Sequence, residues 1–342
     1  MIRKLTAPVA LLAATAFVLT GCAADEGPTT SDPGAGGDAT LEELIAAAQA
    51  EGTLTFYQTP AETIAQKAAD AFADKYDIEV NFVRLTGGEL STRYSAEASS
   101  GAVVADLIIP SYEELIDQGL ADGTFVPLKD AGIPGFDEFP AAGLLADGGT
   151  AIVTYNPSAL SWNTEALGDA PVPESFADLA DPAYKGKLLL TDPSTSQAYL
   201  GFWTHMLNEF GEDTVRAIVA NNVRLYGSVV PMTESLSAGE GAVTGPNVGL
   251  VVEGAKRNGA PLEWALPEVT TGPVIVLAIS ADAPSPNAAR LFAHFVFSEE
   301  GQAIYSGDPG SFSATNLPAG FKLIPRSEAL SNEALIFDIF GL

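Results

Sequence analysis

Three times in the first half of the chain, a short β-forming run is followed by a helix-start signal and then by an amphipathic stretch. Thr53–Tyr57, Ile78–Phe82 and Asp106–Ile109 are the runs, with apolar residues alternating or clustered as in half-buried or buried strands. Thr59-Pro60-Ala61-Glu62, Thr86-Gly87-Gly88 and Ser111-Tyr112-Glu113-Glu114 follow them. Thr59 and Ser111 each have a glutamate three residues on, the spacing of a capping box, and Pro60 suits a first helical position. Gly119 is expected to end the third helix. An earlier box, Thr40-Leu41-Glu42-Glu43, predicts a helix running to Glu51 and stopping at Gly52. Strand–helix alternation of this kind requires crossover connections and so predicts a parallel α/β sheet. Open sheets of that class bind ligands at the C-terminal ends of their strands. Thr59, Gly87, Gly88, Ser111 and Tyr112 fall at those ends and become candidate ligand-binding residues, although a helix cap alone also accounts for the hydroxyls.

A second unit repeats the pattern. Lys187–Leu190 reads as a buried strand, Thr191–Ser196 as a turn, and Leu200, Trp203, Met206, Leu207 and Phe210 recur at helical spacing. Unpaired N–H groups at a helix start attract anions, so Ser194, Thr195 and Ser196 join the candidates as added hydroxyl donors. Further helices are expected at Glu212–Asn221, Thr233–Ala238 and Val248–Arg257, with strands at Arg224–Val229 and Ala242–Thr244. Tyr155 closes the strand Ala151–Tyr155, Trp162 and Asn163 lie in the segment after the Asn156-Pro157 turn, and Gly245-Pro246-Asn247 closes another strand. Tyr155, Trp162, Asn163, Gly245 and Asn247 complete the candidate set. Gly272–Ile279 is the most apolar run and suits a strand returning to the first unit, ahead of helices at Asn287–Phe297 and Glu333–Phe340. These readings place lobe 1 at residues 41–157 and 270–342 and lobe 2 at 158–269, with the passages near Pro157 and Thr270.

Residues 1–21 read as an export signal: Arg3 and Lys4, an apolar run to Leu19, then Leu19-Thr20-Gly21-Cys22, which matches the lipobox of bacterial lipoproteins. Cys22 is the single cysteine, so no internal disulfide can form, and it is the expected lipidation site. Residues 22–40, rich in Gly, Pro, Asp, Ser and Thr, are expected to be a flexible tether. Once the signal is removed, 14 basic residues remain against 44 acidic ones, a net charge of −30. That balance argues against nucleic acid and against adhesion to an anionic lipid surface.

Several segments together give the chain a family likeness. They are Gly52–Tyr57, Ala105–Ile109, Trp162-Asn163-Thr164-Glu165, Phe176–Lys187 with its Asp-Leu-x-Asp-Pro-x-Tyr-Lys-Gly-Lys core, Ala238-Gly239-Glu240, Ala288–Phe292 and Ser298–Gln302. On these the chain resembles the type II solute-binding proteins of bacterial ABC importers, in the branch associated with ferric iron, phosphonate and polyamine uptake, over Leu41 to about Ser306. The resemblance implies an α/β, two-lobed periplasmic-binding-protein type II fold, with two mixed, mostly parallel sheets joined by crossing hinge strands and a ligand clamped between them. It implies a monomeric lipoprotein on the outer face of the cell membrane that delivers its solute to permease subunits, with no cofactor. One motif departs from the family. Where ferric-binding members carry adjacent tyrosines, this chain has Thr244-Gly245-Pro246-Asn247, which offers no phenolate. An iron complex or a phosphate- or phosphonate-type anion therefore fits the hydroxyl-rich strand ends better than bare ferric ion.

The alternatives are a polyamine binder of the same fold, with Glu62, Glu253, Tyr112 and Trp162 supplying carboxylates and walls, and a ligand-sensing co-receptor. Catalysis is not expected. The chain has no Gly-x-Ser-x-Gly elbow, no metal-type histidine spacing and no P-loop, and its two histidines, His205 and His294, sit within apolar helical patterns.

Overall fold

The computed structural model describes residues 40–139 and 143–342. The export signal, nearly all of the tether and Cys22 lie outside the described residues. From Thr40 the chain runs through α1 (Leu41–Glu51), β1 (Thr53–Gln58), α2 (Glu62–Tyr76), β2 (Glu79–Arg84), α3 (Gly87–Ser100), β3 (Leu107–Ile109) and α4 (Glu114–Asp122). It continues through β4 (Phe125–Val126), β5 (Leu144–Leu145), β6 (Thr150–Tyr155), β7 (Ser158–Asn163), β8 (Leu188–Thr191), α5 (Gln197–Val219), β9 (Arg224–Tyr226) and α6 (Val229–Ser237). The remaining elements are β10 (Val243–Val248), α7 (Gly249–Arg257), β11 (Leu262–Ala265), β12 (Val274–Ser280), α8 (Pro286–Val296), α9 (Glu299–Tyr305) and α10 (Arg326–Phe340). The Thr40–Glu43 capping box is formed in both directions, and Gly52 closes α1 in the left-handed conformation.

The strands form two sheets. One has the order β2-β1-β3-β12-β6-β5 with β4 paired to β12, the other β11-β7-β10-β8-β9. Both are mixed, yet less parallel than expected. Parallel pairing is confined to β1–β2, β1–β3, β8–β9 and β8–β10. The strands that come from the other lobe, β12 in the first sheet and β7 in the second, pair antiparallel with all of their neighbours because no crossover helix turns them round. Side chains alternate cleanly along the central strands. Leu54 and Phe56 face one cluster and Tyr57 another; Ile275, Leu277 and Ile279 face the first, Val274, Val276 and Ala278 the second. Burial on both faces explains why the 274–280 segment reads as an unbroken apolar run. Leu188 and Leu190 face a third core with Trp203, and Leu189 a fourth with Met232 and Leu236.

The chain passes between the sheets three times. The first passage is Asn156–Pro157 and the second Leu266–Pro273. They lie against each other: Ser158 N donates to Thr271 O at 2.7 Å, Asn156 N to Pro273 O at 3.0 Å, and Thr270 Oγ1 to Ser158 O at 2.7 Å. Gly272 sits at the crossing, where a Cβ would lie 2.2 Å from Asn156 O. The third passage, around Gly320–Pro325, was not anticipated. Thr270 N donates to Gly320 O and Lys322 N to Thr270 O, after which α10 packs Ala329, Ile336 and Ile339 into the core with Trp203, and Phe340 lies 4.8 Å from the Trp203 ring. The C-terminal helix thus docks on the second sheet's side and not on lobe 1, because its apolar stripe matches α5.

Two helix limits also differ. α4 runs past Gly119 to Asp122 and is closed by Gly123 with φ 75°. Gly119 is required for packing instead, since a Cβ there would fall 2.3 Å from the Phe125 ring. The helices expected on either side of Gly211 form one element, α5, bent at that residue.

Candidate functional site

Three connected cavities form a trough between the two sheets, at the strand ends where parallel sheets place ligands. Ser111 lines all three, and Ser196, Ala198 and Pro273 line two. The central cavity, about 150 Å³, adds Ser158, Tyr199 and Asn247. One end, about 270 Å³, adds Thr59, Asn156, Tyr305 and Ser311 against an apolar wall that includes Pro60, Ile64 and Leu250. The other end, about 80 Å³, adds Tyr112, Glu113, Gln197 and Arg326.

Thr59 and Ser111 do not perform the capping role that their spacing suggests. α2 begins at Glu62 with Ala61 in the cap position, α4 begins at Glu114 with Glu113 there, and neither has a side-chain cap. Pro60 precedes the helix instead of opening it. Thr59 is held by its amide, which donates to Ile109 O, and its Oγ1 is buried without a hydrogen-bond partner. Ser111 bridges to Ile275 through the backbone, and the Tyr112 amide donates to Val274 O, so both residues are fixed to β12. The Tyr112 hydroxyl donates to Asp117 Oδ1 at 2.5 Å, and burial together with that carboxylate pushes its pKa well up.

The serine–threonine turn before α5 is mostly committed to the chain. Ser194 Oγ donates to Asp192 Oδ1 at 2.6 Å, and Thr195 Oγ1 is bonded to the Asp192 and Gly227 carbonyls. Both side chains are exposed and line none of the three cavities. Ser196 caps α5, its Oγ accepting from Ala198 N at 3.2 Å, and it alone of the three faces the trough.

The other expected residues divide in the same way. Asn247 lies in the floor, where Nδ2 donates to Ser161 Oγ at 2.8 Å, to Thr233 Oγ1 at 3.1 Å and to Thr244 Oγ1 at 3.2 Å, and Oδ1 accepts from Val248 N. Gly245 packs into the core, where a Cβ would meet Leu179 and Phe176 at 3.1–3.2 Å. Tyr155 points into the first lobe with its ring against Phe321. Asn163 is a buried turn anchor, donating to Leu236 O and accepting from Glu165 N and Ala166 N, and Trp162 packs beside the third core. Thr86 caps α3 with a full box, Gly88 lies on an open surface with Glu89 and Arg93, and Gly87 packs toward Glu113; neither glycine lines the trough.

Lining residues outside the candidate set include Asn156, Ser158, Tyr199, Ser311 and Arg326. Asn156 Oδ1 accepts from Ser311 Oγ at 3.0 Å, and Tyr199 Oη accepts from Val229 N at 3.2 Å. The Asn-Pro pair at the first passage was the available signal for Asn156 and Ser158. Nothing in the local pattern marks Ser311, which the Tyr155–Phe312 bridge holds here, or Arg326, which the third passage brings here.

Arg326 and Glu113 are the charged side chains lining the trough among the described residues. Burial raises the Glu113 pKa. No group of three or more His, Cys, Asp or Glu side chains is placed to hold a metal ion among the described residues. His205 is fully buried in α5, which lowers its pKa, and His294 Nδ1 lies 2.9 Å from Pro134 O. The carboxylates expected for a polyamine are not gathered: Glu62 is exposed and outside the trough, and Glu253 binds Trp264 Nε1 and Lys256.

A two-lobed α/β protein with a polar trough between its sheets is the architecture of a solute-binding protein, and residues 102–328 match the model of a family described as bacterial extracellular solute-binding protein. The chain belongs to that family. An uncharacterized protein of Haemophilus influenzae (strain Rd) is 28% identical over 269 residues, 75% of this chain and 76% of that one. Two solved structures share the fold. Iron-bound HitA from Pseudomonas aeruginosa aligns with TM-score 0.66 and 21% identity over 85% of this chain and 99% of its own. The periplasmic binding protein AfuA from Actinobacillus pleuropneumoniae, with exogenous fructose-6-phosphate bound, aligns with TM-score 0.64 and 23% identity over 85% and 97%. No helix among the described residues is long and apolar enough to cross a membrane.

Proposed function

We propose that this protein captures a small polar solute bearing an anionic group in the trough and delivers it to the permease of an ABC importer, without chemical turnover. The observation that carries this reading is Thr59 Oγ1, a buried hydroxyl at a parallel-strand end with no partner and no capping role. A hydroxyl left unsatisfied in the apo protein destabilises it unless a ligand completes it. Ser111 and Asn156 line the same cavity, and the Ser196 hydroxyl keeps a proton to donate. An iron–oxyanion complex fits the same donors through its anion. Lobe movement is assigned to all three passages, at Asn156–Pro157, near Thr270 and at Gly320–Pro325, so lobe 1 spans 41–157 and 270 to about 320, and α10 moves with residues 158–269. Lipidation at Cys22 holds the monomer to the outer face of the cell membrane.

Mass spectrometry of protein purified under native conditions tests this reading. The expected result is a bound phosphate ester, phosphonate or iron–oxyanion complex. A co-purifying polyamine, or conversion of the bound compound by the protein, refutes it.

A further inference from the structure

Arg326 reaches the trough because the third passage ends there. Lys322 N is tied to Thr270 O, Leu323 and Ile324 run along the cavity wall, and α10 starts at Arg326. One guanidinium nitrogen lies 2.8 Å from Glu114 Oε2 across the lobes, as an ion pair. The Nε is shut off from solvent and has no partner, and Gln197 Oε1, which lines the same cavity, is in the same condition. The Glu114 side chain is 56% exposed, and an ion pair of that kind contributes little to stability. A guanidinium kept only for such a pair has no reason to bury an unsatisfied N–H. One that receives an oxyanion does, because its planar fork offers parallel donors to a carboxylate or a phosphoryl group.

We propose that this end of the trough is an anion subsite, in which Arg326 exchanges Glu114 for an oxyanion of the solute, whether carboxylate, phosphate or phosphonate. The inference rests on the capture reading above and deepens it by assigning the anionic end of the solute to one residue. Gln197 Oε1 is placed to accept a hydroxyl or amide proton from the same solute. The neighbouring carboxylate, Glu113, has its pKa raised by burial. Glu114 belongs to α4 and Arg326 to α10, so the exchange replaces a direct contact between the lobes with one made through the solute.

The test is calorimetry and thermal-shift measurement of the full folded chain with fructose 6-phosphate, inorganic phosphate and citrate, and with spermidine as the cationic control. The expected result is binding of at least one oxyanion, a loss of tenfold or more in its affinity in Arg326→Gln, partial recovery in Arg326→Lys, and a severalfold gain in Glu114→Gln, where the guanidinium is released. An oxyanion that binds Arg326→Gln as tightly as the parent overturns the subsite and leaves the capture reading standing. Binding of spermidine with none of the oxyanions overturns both. If Arg326→Gln does not fold, Glu114→Gln decides the matter, and unchanged oxyanion affinity in that variant overturns the subsite.

Discussion

Replacing Thr59 with valine should stabilise the empty protein and weaken its grip on the solute, two effects of opposite sign from one atom. Thr59 Oγ1 is buried without a partner at the large end of the trough. A buried polar group left unpaired costs roughly 1–3 kcal/mol, and valine keeps nearly the same shape without it. For a body of this size about 1 kcal/mol corresponds to roughly 2–4 °C in melting temperature, so Thr59→Val should melt about 2–12 °C higher in the absence of solute. If the hydroxyl meets a charged group of the solute, its loss removes roughly 1.5–3 kcal/mol, or about 10- to 150-fold in affinity. Thr191 and Thr204 supply the controls: their hydroxyls are also buried without partners, and they line none of the three cavities. Thr191→Val and Thr204→Val should raise the melting temperature and leave affinity unchanged. The assays are scanning calorimetry of the stripped protein and titration with the co-purified solute. A Thr59→Val protein that is more stable and binds as well as the parent would show that the hydroxyl is a packing defect with no part in binding.

Gly272→Ala should loosen the crossing of the first two passages: its Cβ would fall 2.2 Å from a backbone oxygen that cannot give way cheaply. The expected loss is about 1–3 kcal/mol, read by urea denaturation, and a variant as stable as the parent would count against a close-packed crossing. Asp106 accepts from Thr55 N and Ser285 N, each at 2.6 Å, and burial pushes its pKa from 3.8 up to about 6. Because the folded state then holds the proton more tightly than the unfolded one, its contribution is full below pH 4 and is lost as the pH rises toward 6. The stability gap between parent and Asp106→Asn should therefore shrink by up to about 3 kcal/mol across that window, and a gap that widens refutes the sign. Cys22→Ala should move the protein from the membrane fraction to the soluble fraction, or block its processing; retention in the membrane would exclude lipidation as the anchor.

The periodic part of the fold was legible because each layer is written locally. Alternation in 53–58 and 79–84, the apolar run at 274–280 and the capping box at Thr40 need only neighbours a few residues away. Two kinds of residue misled. Glycine at 119 carries the same letter as a helix stop, but here it makes room for a ring that arrives six residues later. The last helix has an apolar stripe that says it must dock, and only the spatial position of α5 says where. The direction of strand pairing was hidden for a related reason, since a strand returning from another lobe has the same composition as one returning through a helix.

The site divides along a different line. A hydroxyl at a strand end can serve the chain or the solute, and sequence spacing alone assigns both roles to it. Ser194 and Thr195 were the stronger-looking pair, three hydroxyls in a row with Ser196 before an apolar helix, and the turn consumes both of them through Asp192 and Gly227. Thr59 and Ser111 carried capping-box spacing as an alternative explanation, and the helices begin two residues too late to use it. What separates the two groups is whether an acceptor lies within reach: Asp192 Oδ1 for Ser194, and the Asp192 and Gly227 carbonyls for Thr195. Arg326 is the extreme case: the one cation lining the trough among the described residues comes from a segment 215 residues beyond Ser111, so no local pattern could have paired them. On the proposed reading, the groups that meet the solute are best sought among polar atoms that the fold has enclosed without a partner, and Thr59 Oγ1, Gln197 Oε1 and Arg326 Nε satisfy that description at the two ends of one trough.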